Sequence, residues 1–151
     1  MLELRTTHLF TVTFTVGPIH NLGKGPQGER RVAIVTGGHF EGARLKGTVA
    51  EGGSDWILAR PDALALDVRV ALRTHDGHLI GMTYRGYRHG PAEILERLNR
   101  GEAVEPSSYY FRIAPLFETG AEPYSWLNRI VAVGTGHRPP EGPFYDVYEV
   151  L

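Results

Sequence analysis

The chain has 151 residues, 42% of them hydrophobic and 22% charged, with a formal net charge of −1. That length is one domain, able to bury roughly two thirds of the surface its unfolded chain exposes, and the composition is that of a folded globular protein. The charge balance gives no basic excess for nucleic acid, and the lack of cysteine excludes disulfides, thiolate metal sites and a cysteine nucleophile.

The first residues, M-L-E-L-R-T-T-H-L-F, carry an early acid and no long apolar core, so they do not read as a signal peptide. No run of eighteen apolar residues occurs, so no membrane-spanning helix is expected. A cysteine-free chain without targeting signals fits the cytoplasm, and that is the expected location.

The dominant period is two. In H-L-F-T-V-T-F-T-V, Phe10, Val12, Phe14 and Val16 alternate with Leu9, Thr11, Thr13 and Thr15, the pattern of a half-buried strand. G-P-I-H-N-L-G-K-G-P-Q-G-E follows, dense in glycine and proline, and reads as a loop. R-V-A-I-V-T is a short strand expected to stop at Gly37-Gly38. R-L-K-G-T-V-A alternates again, and A-E-G-G-S-D-W reads as the turn after it. In A-L-A-L-D-V-R-V-A-L-R-T, Leu64, Leu66, Val68, Val70 and Leu72 share one face, while Asp67, Arg69 and Arg73 share the other with alanines. Asp76-Gly77 is a hairpin signal, and L-I-G-M-T-Y-R-G-Y is the partner strand.

G-P-A-E-I-L-E-R-L-N-R-G departs from the pattern. Pro91 near its start, Gly101 past its end and a stripe of Ile94, Leu95 and Leu98 predict one short helix over about 91–100. Strands resume in S-Y-Y-F-R-I-A-P-L-F-E, N-R-I-V-A-V-G-T-G and F-Y-D-V-Y-E-V-L. Eight to ten short strands with one helix define an all-β fold, read as a single antiparallel β-barrel domain over 1–151. Aromatic-rich terminal strands call for closure or pairing between subunits rather than free edges.

Several segments, taken in order, resemble one family: G-G-H-F-E-G-x-x-L-x-G-T-V, G-G-S-D-W, L-D-V-R, T-H-D-G-H-x-I and Y-S-W-L-N-R-x-x-x-V-G-x-G. Together they look like the domain-of-unknown-function 3237 family, from about Phe10 to the C-terminus. The resemblance implies a small, mostly antiparallel β-barrel and a homodimer, and implies no particular activity. The resemblance implies Asp-Gly, as in many members of that family, after the arginine that follows G-G-S-D-W. This chain has Asp62-Ala63, so a different turn is expected there.

The candidate chemistry starts with the charged face of the central strand. If that face lined a barrel pocket, Arg69 would be a buried cation with Asp67 or Asp55 as partner, suited to clamping a carboxylate or steadying an enolate. If the leucine face is the core, those charges face solvent. Asp55 either ties down its own turn or acts as a proton-transfer group raised in pKa by burial beside Trp56. Tyr124, Trp126 and Asn128 alternate by two and would share a face of a strand as a ligand wall; otherwise they form an aromatic cluster in the core. Glu118 reads as a solvated loop acid.

Of seven histidines, only His75 and His78 are close, across a hairpin turn, so no metal set is predicted. His39, after Gly37-Gly38 at a strand end, is kept as a ligand-binding candidate. No cofactor is implied, because no glycine-rich segment sits between a strand and a helix as phosphate or dinucleotide sites require.

Two functions follow. The first is a small-molecule-binding barrel with Asp55 and Arg69 as polar anchors and no nucleic-acid or membrane partner. The second is a cofactor-independent isomerase, cyclase or lyase acting on a small carbonyl or aromatic metabolite. In that reading Asp55 moves the proton, and Arg69 and Asn128 hold the developing oxyanion.

Overall fold

A computed structural model describes residues 1–151. β1 (Thr6–Gly25) and β2 (Gly28–Glu41) form one long hairpin. β2 then bonds two short strands in succession, β3 (Lys46–Val49) and β4 (Gly53–Ala59), and β5 (Leu64–Thr74) bonds both on the other side. β6 (Leu79–His89), β7 (Tyr110–Glu118), β8 (Ala132–His137) and β9 (Phe144–Val150) continue antiparallel, and β9 returns to β1. The nine strands therefore close a ring in which β3 and β4 share one position. A ring of about eight strand positions is just wide enough to be filled by side chains or to hold one small ligand.

Alternation decides what enters the barrel. Leu66, Val68, Val70 and Leu72 point inward from β5 and are buried, while Asp67, Arg69 and Arg73 point out and are exposed. Of the two faces left open by the sequence, the leucine face is the core. Register carries the same parity to β6: Met82 opposes Val70, Tyr84 opposes Val68 and Arg88 opposes Leu64. Phe10, Val12 and Phe14 from β1, Phe111, Ile113 and Phe117 from β7, and Tyr145 and Val147 from β9 complete one continuous core.

The ends of the ring differ. At one, a 3-10 segment over Glu122–Arg129 inserts Leu127, fully buried, and Tyr124. At the other, α1 (Ala92–Asn99) buries Leu98 and leans Ile94 and Leu95 on the core. The helix lies within the range predicted from its apolar stripe.

Three local expectations are corrected. The glycine- and proline-rich stretch after Val16 is the far arm of the β1–β2 hairpin, turning only at Pro26-Gln27. Register shifts between Val16 and Ile19 and between Asn21 and Gly23 leave Gly17, Pro18 and Leu22 out of the ladder as irregularities. β2 does not stop at Gly37-Gly38; it runs through both to Glu41. Y-S-W-L-N-R is the 3-10 segment, not a strand start. Tyr124 and Leu127, three apart, fall on the same side of a three-residue turn and are both buried.

Candidate active site

Only the turn of the A-E-G-G-S-D-W stretch lies at Glu51-Gly52, where Gly52 has φ +104°. β4 begins at Gly53, so Asp55 is a strand residue. It opposes Ala33 on β2 and Val68 on β5. Both neighbours are buried, and that parity sends the Asp55 carboxyl inward.

The β4–β5 ladder keeps its register but is unpaired between Asp55↔Val68 and Leu58↔Ala65. In that gap the backbone N–H of Asp67 donates to Asp55 Oδ1 at 3.2 Å. Burial nonetheless dominates, and the Asp55 pKa is raised from 3.8 to about 7. The Asp67 N–H opposes the rise, the Asp67 charge adds to it and the Arg88 charge opposes it. A carboxyl balanced near neutrality can give or take a proton at physiological pH.

Two phenols share this part of the interior. Tyr84 on β6 and Tyr145 on β9 meet edge to face with ring centroids 5.4 Å apart. Phe14 stacks on Tyr84 at 6.4 Å and meets Tyr145 at 5.9 Å, and Phe111 meets Tyr145 at 5.3 Å. Burial, above all, pushes both phenol pKa values up, and each also feels the Asp55 charge. Both tyrosines therefore stay protonated, as hydroxyl donors set in an apolar wall.

Toward the helix end the interior turns cationic. Arg88, two residues beyond Gly86 on the inward face of β6, lies 5.8 Å from the centre of the Phe111 ring. Burial first, then the charges of Arg138 and Arg31, lowers its pKa. Arg31 opposes Ile57 on β4, on the same side as Asp55. Arg31 and Arg88 both line a cavity of about 380 Å³ beneath α1, whose other walls include Leu64, Leu95, Asn99 and His89. At its rim Arg60 binds Asp62 through two 2.9 Å hydrogen bonds, within a turn closed by the Arg60 N–H on the Ala63 carbonyl.

The remaining candidates lie elsewhere. Arg69 is exposed on the outer face, so the expected Asp55–Arg69 pair across one cavity does not form, and the cation that Asp55 feels is Arg88. Asp67 also points out, 3.9 Å from Arg85. Trp56 is 47% exposed and lines an outer groove with Arg30 and Tyr87. His39 is exposed beside the Thr13 hydroxyl, 3.1 Å from its Nδ1.

Tyr124, Trp126 and Asn128 belong to the opposite end of the barrel. Tyr124 donates to Asp76 at 2.8 Å. The Arg44 guanidinium lies 3.5 Å over the Trp126 ring. Asn128 accepts from the Thr119 N–H at 2.7 Å and donates to the Thr119 carbonyl at 2.9 Å. Glu118 is exposed. No three His, Asp or Glu side chains converge as a metal set needs.

Sequence reasoning did not single out Tyr84, Tyr145, Arg31, Arg88 or Arg138. A signal was present in M-T-Y-R-G-Y-R. The parity that buries Met82 also turns Tyr84, Gly86 and Arg88 inward, and a cation on an apolar parity is unusual.

Fold and site together define a closed antiparallel barrel with one plugged end and one end that gathers an acid, two phenols and arginines. The chain belongs to the family described as proteins of unknown function, DUF3237, whose profile matches residues 4–150; the membership inferred from the motifs holds. A UPF0311 protein of Rhodopseudomonas palustris is 37% identical over 98% of this chain and 97% of its own length. The crystal structure of a conserved R. palustris protein of unknown function superposes with a TM-score of 0.92 at 35% identity, covering 100% of this chain and 99% of that one. A β-barrel-like protein of Acinetobacter baumannii gives 0.87 at 38% identity, covering 100% and 98%. A more distant relative, 25% identical over 94% of this chain and 80% of its own length, is the hydroalkoxylation enzyme of Penicillium herquei. No helix is long and apolar enough to cross a membrane.

Proposed function

We propose that this protein is a cofactor-independent enzyme that moves a proton through Asp55 on a small oxygen-bearing organic substrate. The observation that carries the reading is the inward Asp55 carboxyl, held in the ladder gap by the Asp67 N–H. It shares the interior with two buried phenols that feel its charge. An acid balanced near neutrality beside two hydroxyl donors suits proton transfer, a task that a barrel storing a ligand does not perform. Arg69 and Asn128, expected from sequence to hold an oxyanion, have no part in this reading because neither lies with Asp55. Tyr84 and Tyr145 take the donor role instead.

The distant hydroalkoxylation enzyme supports a specific reaction class for assay: addition of an O–H across a C=C bond. Protonated Asp55 would deliver its proton to one alkene carbon while the substrate oxygen bonds to the other. The proton of that hydroxyl then returns to the Asp55 carboxylate, so the acid is regenerated and nothing is oxidised or reduced. The tyrosine hydroxyls would hold the attacking oxygen.

The test is incubation of the protein with phenols that carry an ortho alkenyl chain, with cyclic ether followed by mass spectrometry. Product is expected with wild type and expected to be lost with Asp55→Asn. Turnover should fall as pH rises through about 7, because the acid form is the active one. A carboxyl resonance of Asp55 that titrates near 4 by NMR would remove the basis of the proposal whichever substrate is tried.

A further inference from the structure

We propose that the cavity beneath α1 is a binding site for a carboxylate of the substrate, held by Arg31 and Arg88, the two arginines that share the inward parity of Asp55. The inference deepens the enzymatic reading, since it names the class of molecule on which Asp55 acts.

The first support is an unmet need. The Nε atoms of Arg31 and Arg88 are both buried without a hydrogen-bond partner, and buried polar groups are nearly always satisfied in native proteins. Two such donors on two arginines that line one cavity point to a partner that comes and goes.

The second support is charge. The ion pairs of the molecule involve neither Arg31, Arg88 nor Arg138. Arg88 is destabilised as a cation by both of the others. The acids in reach are otherwise engaged. Asp62 at the cavity rim is bound to Arg60, and Asp55 accepts the Asp67 N–H and is half protonated near pH 7. An incoming anion would supply both the missing acceptor and the missing negative charge. A planar guanidinium presents its Nε and Nη hydrogens side by side, which matches the two oxygens of a carboxylate.

The third support is shape. The cavity, at about 380 Å³, falls in the usual range for small-molecule sites, roughly 300–1,000 Å³. Leu64, Leu95 and Ala59 give it an apolar part beside the polar Arg60, Asp62, His89 and Asn99. A carboxylate carried on an apolar body can use both parts. Arg88 also lies near the Phe111 ring, which in turn meets Tyr145, so one ring separates the arginine from that phenol.

The test is calorimetric titration of the full chain at pH 7 and low salt with sodium benzoate, benzamide and inorganic phosphate. Benzoate is expected to bind one to one, and benzamide and phosphate at least about tenfold more weakly. Arg31→Met and Arg88→Met should each weaken benzoate about tenfold or more, and Arg88→Lys should lose most of that binding because it keeps the charge but not the fork. Near-UV circular dichroism establishes that each variant is folded, and a variant that is not is replaced by its lysine counterpart. The inference is overturned if benzoate does not saturate wild type, if benzamide or phosphate binds equally well, or if folded arginine variants bind benzoate unchanged. Loss of turnover in Asp55→Asn is a separate measurement, so the anion site and the proton-transfer reading fail independently.

Discussion

Replacing Asp55 with asparagine should make the protein more stable at alkaline pH, and the reason is the raised carboxyl. Its pKa is about 7 in the fold against an ordinary 3.8. At about 1.4 kcal/mol per unit, ionising it in the folded chain costs about 4 kcal/mol more than in the unfolded chain. The folded value lies above the unfolded one, so between pH 4 and 7 the folded state keeps a proton that the unfolded state has released. The Asp55 contribution to wild-type stability therefore declines across that window as pH rises, and above pH 7 the penalty is complete. Asparagine keeps an oxygen to accept the Asp67 N–H and carries no charge. Asp55→Asn should equal wild type near pH 4 and exceed it by about 2–4 kcal/mol at pH 8.5, after allowance for residual solvation. Urea denaturation of both proteins at intervals from pH 4 to 9 measures the difference, and subtraction cancels every other titrating group. A difference that is flat with pH, or wild type gaining on the variant as pH rises, would refute the placement of Asp55 in a desolvated interior.

Two further substitutions separate structure from chemistry. Asn128→Ala removes both hydrogen bonds to the Thr119 backbone and should cost about 1–3 kcal/mol in denaturant titrations; benzoate affinity should not change, because Asn128 clamps the plugged end. Gly136→Ala would set a methyl 2.5 Å from the Phe111 ring. It should destabilise by about 1–3 kcal/mol and, by displacing the ring that packs on Tyr145, should also lower turnover.

Much of the barrel was legible because its signals are local. The alternation in β1, β5 and β6 needs only parity, and the 91–100 helix needs only its stripe and its Pro91 and Gly101 boundaries. Local signals misled where tertiary bonding overrode composition. Pro18 and Gly23 look like loop residues, yet β2 bonds to both β1 and β4 and holds that arm extended. Pro123 and the spacing of Tyr124 and Leu127 made a 3-10 plug from a stretch that reads equally well as alternating.

The site divides in the same way. Asp55 stood out in sequence as an acid beside two glycines and a tryptophan, but its inward direction comes from its opposition to Val68 and Ala33. The choice of Arg69 as its cation rested on the alanine-flanked charged face of β5 lining a pocket, and that face is the outer one. The ring instead brings Arg88 from β6 and Arg31 from β2 to the same interior.

By itself the sequence determined the strand parity, the single helix and the exclusion of cysteine chemistry, since each depends on residue type and spacing along one chain. Only the tertiary structure decided which face of β5 is core and which arginines are left without partners. Those outcomes depend on closure, because a residue's burial and its charge environment are set by strands distant in sequence that the ring places opposite it.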